Sequence, residues 1–161
     1  MTDTYIWQKV RQRFLAIDGI YEDIHGVEQP VIATSYDPDG TVVYDNVIEP
    51  NGTKTTEDLA SSEGIWFEIF PLHTPSVQKE LGSVGRNRWT LGLQINVNSP
   101  KNFGTFAIDT VYDVIAKHFK RGDIFDGIRV LQTAYRSSAR LVGDTYYSEP
   151  VTVMVQADLD N

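Results

Sequence analysis

The chain has 161 residues, 41% of them hydrophobic and 22% charged, with a formal net charge of −8. That length suits one domain with a sizeable core, so residues 1–161 read as a single domain. No 18-residue apolar run occurs, "MTDTYIWQKVRQRF" lacks an apolar h-region, and there are no cysteines. The sequence therefore predicts neither a membrane-spanning helix nor a secretory signal, and it rules out disulfides, thiolate catalysis and zinc–thiolate sites.

The charge is unevenly spread. Residues 18–68 hold 12 Asp/Glu against one Lys, a net of −11, while residues 79–140 hold 10 Lys/Arg against 5 Asp/Glu, a net of +5. An acidic protein lacks the basic footprint that nonspecific DNA binding needs. One acidic and one basic section can instead pair between copies of the same chain; the plainer alternative is two solvated faces.

In chain order, residues 4–17 predict a helix whose Ile6, Val10, Phe14 and Ile17 form one apolar stripe, capped by Thr2 or Thr4 and ended by Gly19 at positive φ. Strands near 31–35 and 42–48 flank "DPDG", a turn composition, and predict a hairpin. "NGTKTTEDLASSEG" (51–64) reads as an exposed loop. "GIWFEIF" (64–70) is a strand with Ile65, Phe67 and Ile69 on one side and Trp66, Glu68 and Phe70 on the other, ended by Pro71. Its two aromatics on the second side predict that this side is covered too. "PLHTPSVQKELGSVGRNR" (71–88) has little periodicity. Segments 50–64 and 71–88 are expected to be mobile in a free subunit.

"WTLGLQINVN" (89–98) is the clearest half-buried strand, with Trp89, Leu91, Leu93, Ile95 and Val97 on the core side. A second helix over 105–120 carries Ile108, Val111, Tyr112, Ile115 and Phe119 on one stripe, and Gly122 closes it. Strands over 127–134 and 149–159 complete the chain, the latter with Val151, Val153, Val155 and Ala157 in phase. The expected fold is α+β: a mainly antiparallel or mixed sheet with two amphipathic helices on one face, plus a β-hairpin.

No catalytic, cofactor-binding or metal-binding constellation stands out. "GSVGRNR" has glycines three apart, no following Lys-Ser/Thr, and opens a strand, whereas a phosphate loop opens a helix. "DPDGT" lacks the Glu that a calcium loop needs; position 48 is Ile. His25, His73 and His118 lack metal spacing, and His118 reads as a surface histidine at a helix C-terminus. No G-x-S-x-G elbow occurs. Asp109 and Asp113 lie four apart on the exposed side of the second helix and read as solvated charges. The expectation is a non-enzyme.

The segments "VVYDN" (42–46), "GIWFEIFPLHTPSVQKELG" (64–82) and "GRNRWTLGLQINVNSPKNFG" (85–104), followed by an amphipathic helix, resemble the tail terminator proteins of long-tailed siphophages. In that family a Tyr/Phe–Glu/Asp–Asn strand precedes a Trp-containing strand. A Leu-Gly and a Gly-x-x-Arg then lead into a strand rich in Gln, Val and Asn, and a Pro-x-x-x-Gly leads into the second helix. The likeness covers about 1–17 and 42–157; residues 20–41 and 52–63 depart from it as longer connections. The resemblance implies a hexameric ring, assembled in the host cytoplasm, on the head-proximal end of the virion's tail tube. The ring would end tube growth, meet the head connector or head-completion protein, and let DNA pass through its lumen without specific recognition. Lys79, Glu80, Arg86 and Arg88 are the candidate subunit or tube contacts. Neither Arg86 nor Arg88 belongs to an apolar stripe, so reversing both charges is expected to leave the fold intact. The alternatives are another head–tail joining, head-completion or minor tail protein, or a nucleotide-binding domain built on "GSVGRNR".

Overall fold

The computed structural model describes residues 3–59, 64–74, 77–78, 86–103 and 105–160. Two long strands organise it, β8 (Arg86–Pro100) and β12 (Tyr146–Asp160), which pair antiparallel without a break from Arg86↔Asp160 to Pro100↔Tyr146. At about 3.4 Å per residue, 15 residues span roughly 50 Å, well beyond an ordinary strand. Their odd-numbered residues share one side, and Leu91, Leu93, Ile95, Val97, Val151, Val153, Val155 and Ala157 are buried there. Alternation of apolar and polar residues makes these segments strands, and it also fixes their register. A one-residue slip would turn all eight toward water.

The remaining elements attach to this ladder. Helix α1 (Asp3–Leu15) comes first, followed by two small antiparallel pairs. In these, β1 (Ile20–Glu22) joins β2 (Glu28–Pro30), and β3 (Thr34–Tyr36) joins β4 (Val42–Tyr44). Then come β5 (Val47–Ile48), a single helical turn α2 (Thr56–Leu59), β6 (Trp66–His73) and β7 (Val77–Gln78). After β8, a 3₁₀ turn leads to α3 (Phe106–His118), β9 (Ile124–Phe125), β10 (Ile128–Arg136) and β11 (Arg140–Val142). The main sheet runs β5-β6-β8-β12-β10-β9, with β7 added to β8 and β11 to β12. Every pairing is antiparallel except β5 with β6. The fold is α+β, a mixed, mostly antiparallel sheet with two helices on its apolar face.

The helices pack as their stripes dictate. Ile6, Val10 and Phe14 of α1, and Ala107, Ile108, Val111 and Ile115 of α3 with Phe119 beyond it, join the buried face of the sheet in one core. Phe14 meets Phe67 edge-on at 5.4 Å between ring centroids, a favoured aromatic geometry. The stripe residue Tyr112 stays partly buried and donates its hydroxyl to Ala134 O at 2.7 Å. Trp66, on the other side of β6, is fully buried and stacks at a tilt on Tyr146, 5.2 Å between centroids. The second side of this strand is covered there, as its aromatics predict.

Several sequence expectations are revised. β6 does not stop at Pro71 but runs to His73, with Pro71 opposite Leu93. β5 pairs only at Phe67 and Glu68, so among the described residues β6 is an edge from Ile69 onward, where proline is tolerated. The aperiodic segment 71–88 is in part strand: 71–73 belong to β6, 77–78 are β7, and 86–88 open β8. Residues 60–63, 75–76 and 79–85 lie outside the described residues; within 51–64, read as a loop, residues 56–59 form the helical turn α2. The predicted hairpin is shorter than 31–35/42–48, because Asn46 turns the chain away. Its Oδ1 accepts from Ala33 N at 2.9 Å, and its Nδ2 donates to Val31 O at 2.8 Å and Ile65 O at 3.2 Å. Residues 47–48 then join β6. "DPDG" is the turn it reads as, with Gly40 N bonded to Asp37 O at 2.9 Å and Gly40 at φ 86°. Gly19 does not end α1 through a positive φ. It is required by space, since a Cβ there would lie 2.6 Å from Val114 Cγ1.

Gly92, mid-strand in β8, has the same role on the opposite side of the sheet. A Cβ there would lie 2.9 Å from Leu72 Cβ and 3.1 Å from Met154 Sδ. Gly92→Val is expected to destabilise the fold by about 1–3 kcal/mol through overpacking, seen as a lower urea midpoint with an unchanged slope.

Candidate functional site

Of the four residues singled out as subunit or tube contacts, Lys79 and Glu80 lie outside the described residues. Arg86 is placed by its backbone alone, opposite Asp160. Arg88 sits in the ladder opposite Asp158, with Nε donating to Oδ1 at 3.0 Å and Nη2 to Oδ2 at 3.5 Å. That hydrogen bond raises the guanidinium above its ordinary value. Arg88 is thus not a free loop cation. Reversing its charge would set two carboxylates opposite each other inside one chain, so that change tests the ladder as much as any interface.

The ladder outruns its neighbours at this end. β6 accompanies β8 only as far as His73↔Leu91, and β10 accompanies β12 only as far as Arg129↔Gln156. Residues 86–90 and 157–160 continue as a ribbon, with the two-residue β7 on one side. Where the ribbon leaves the sheet there is an open cleft of about 480 Å³ lined by Arg88, Ile124, Gly127, Arg129, Gln156 and Asp158. Ile124 is 63% exposed. Arg129 is exposed and has no ion-pair partner among the described residues.

A second polar cluster went unnoticed in the sequence. Arg136 of β10 donates Nη2 to Asp109 Oδ1 of α3 at 2.6 Å and to Glu149 Oε1 of β12 at 2.7 Å, and its guanidinium lies 4.7 Å from the Tyr112 ring centroid. Glu149 is 2% exposed, and its Oε2 is buried without a hydrogen-bond partner among the described residues. Asp109 is therefore not a solvated twin of Asp113 but one arm of this clasp. The hydrogen bond to Glu149 raises the Arg136 guanidinium above its ordinary value. The signal was present: Glu149 falls in phase with Val151, Val153 and Val155, a charge at a core-facing position. Such a group needs a partner.

His118 is likewise not a surface cation. Its Nε2 lies 2.6 Å from Arg13 O, while Arg13 Nη2 donates back to His118 O at 2.9 Å, tying the end of α1 to the end of α3. Burial pushes the imidazole below its usual value, outweighing the hydrogen bond to Arg13. With Nε2 as donor, the neutral ring suffices. Among the described residues no group of three or more His, Asp and Glu side chains is arranged to hold a metal ion.

No family model matches the chain, and no curated protein matches it either. Solved structures that share the fold include one distant neighbour. It is 16% identical, with a TM-score of 0.53 over 71% of this chain and 78% of that one. At that identity the likeness establishes the fold alone.

Two outcomes are expected from these clusters. Arg136→Ala strands the Glu149 carboxylate in the core and should cost about 3–5 kcal/mol, whereas Asp109→Asn, at the exposed arm, should cost no more than about 1 kcal/mol; denaturant titration separates them. For His118, a folded value below the unfolded one means that the unfolded chain binds more protons in the interval between them. Stability should then decline as pH falls below about 6.5. Comparing thermal melts at neutral and mildly acidic pH checks this, and His118→Gln, which keeps a donor for Arg13 O, should flatten that part of the profile.

Proposed function

We propose that the chain is a tail-terminator-type assembly protein, which closes the head-proximal end of a phage tail tube as a ring and offers the surface that the head joins. The observation that carries this reading is the course of the chain from β8 to α3. The strand rich in Gln, Val and Asn, the Pro-x-x-x-Gly exit and the amphipathic helix occur in the order the resemblance implies. The strand and the helix fold into one unit, the helix lying on the strand's apolar face. Distinct acidic and basic sections of one chain supply what a ring needs, because each subunit in a ring offers one patch to a different patch on the next.

The partners follow from that role: further copies of the chain, the tube protein and the head connector or completion protein, with DNA passing through the lumen.

Tails assembled without this protein are expected to vary in length or fail to join heads, and adding the purified chain should restore uniform, joinable tails. Negative-stain length distributions measure this directly. Unchanged lengths and normal head joining in its absence would overturn the reading.

A further inference from the structure

The β3–β4 hairpin forms its own two-stranded pair outside the main sheet. All three β3 residues are exposed, as is every residue of the turn 37–41. Tyr36 is 73% exposed and its cross-strand partner Val42 is 42% exposed, so an aromatic and an aliphatic side chain stand together at an outward-facing end. Asp37 and Asp39 lie in the turn. No Lys or Arg occurs between Arg13 and Lys54, and neither aspartate has an ion-pair partner among the described residues. A surface that complements this tip must offer an apolar contact beside an uncompensated cation.

The cleft beside the ribbon has that chemistry. Ile124 forms an exposed apolar lip, Gly127 leaves room without a side chain, and Arg129 supplies a cation that nothing in the described chain neutralises. Arg88 is already balanced by Asp158, so Arg129 is the charge left to recognise an acid. The end of α3 also exposes Lys117, Lys120 and Arg121, but the pocket beside Lys117, lined by Ile17 and Val114, already holds an acid, Asp18.

We propose that the β3–β4 tip of one copy docks in the Arg88–Ile124–Arg129 cleft of a second copy, with Tyr36 against Ile124 and Asp37 facing Arg129. Taken in one direction the contact is heterologous and repeats from copy to copy, closing if the rotation allows; a reciprocal two-fold pair would stop the cross-linked ladder at dimers. This rests on the assembly reading and gives it a specific subunit contact.

The chain has no cysteine, which makes a cross-link test clean. A chain carrying both Tyr36→Cys and Ile124→Cys, mildly oxidised free or on capped tails, is expected to give a ladder of covalent multimers. Pairing Tyr36→Cys with Leu141→Cys, another exposed site, should not, because a disulfide needs Cβ atoms about 3.5–4.5 Å apart. Charge supplies an independent arm. Asp37→Arg or Arg129→Asp alone should weaken self-association about tenfold by light scattering at low salt, and the double change should recover most of it. All these positions are exposed, and a circular dichroism melt confirms folding of each variant. Absence of the 36–124 ladder, or single reversals that associate like the parent, overturns the contact. If capping of tails persists in that case, the assembly reading stands without it. A 36–124 ladder from a chain that leaves tail length unchanged keeps the contact and removes the assembly reading.

Discussion

The register of β8 against β12 is the constraint on which the rest depends. Fifteen consecutive pairs set eight apolar side chains on one side, and burying that strip is the largest gain available to a chain of this composition. Every other element is placed relative to it. β6 and β10 extend the ladder on either flank, and the stripes of α1 and α3 cover the apolar strip. Gly92 lets Leu72 and Met154 approach the backbone on the far side. A side-chain period of two leaves no intermediate solution: the strip is in register or it is exposed.

Polar interactions refine this frame at its margins. The Arg136 clasp links α3, β10 and β12 where the hydrophobic strip gives way to Glu149. Arg13 and His118 join the C-terminal ends of the two helices, with Arg13 also lying 4.5 Å from the Phe125 ring centroid. Arg11 pairs with Glu49 and fastens α1 to the segment after β5. Each ties elements that the core alone would leave free to slide. Each also carries a cost if broken, because the partner left behind is at least partly desolvated.

Legibility in the sequence followed periodicity. Val10, Phe14, Ile95, Val111 and Val153 could be assigned to the core because helix and strand periods persist over many residues there. The short pieces β1, β2, β7, β9 and β11 could not, since two or three residues carry no period and form only because a neighbouring edge is present. Pro71 misled because proline ends a central strand but not an edge, and which strand is an edge is a tertiary fact. Gly19 misled because a glycine required by a neighbour's bulk looks the same in sequence as one required by φ. Among the candidate contacts, Arg88 could be placed near the start of the strand, but its partner Asp158 is 70 positions away and invisible without the register. Arg129 and Tyr36 gave no signal: an exposed side chain in a strand becomes notable only when what surrounds it is known.

The charge division visible in the sequence has a different meaning once partners are assigned. Several cations of the basic section are neutralised within the chain, Arg88 by Asp158, Lys101 by Asp144 and Arg136 by Asp109 and Glu149. The acids of the hairpins are not. Asp23 is held by the amides of His25 and Val27, Asp39 by that of Thr41, and Asp45 by the Ser35 hydroxyl. These bonds shape turns but leave the negative charge in place. The net acidity is therefore concentrated on the small pairs β1–β2 and β3–β4, which stand outside the main sheet. A two-fold contact through either pair would set acid against acid, at a cost that rises at low salt. A contact in which those pairs meet a different surface avoids that cost, whether two copies pair reciprocally or many repeat in one direction.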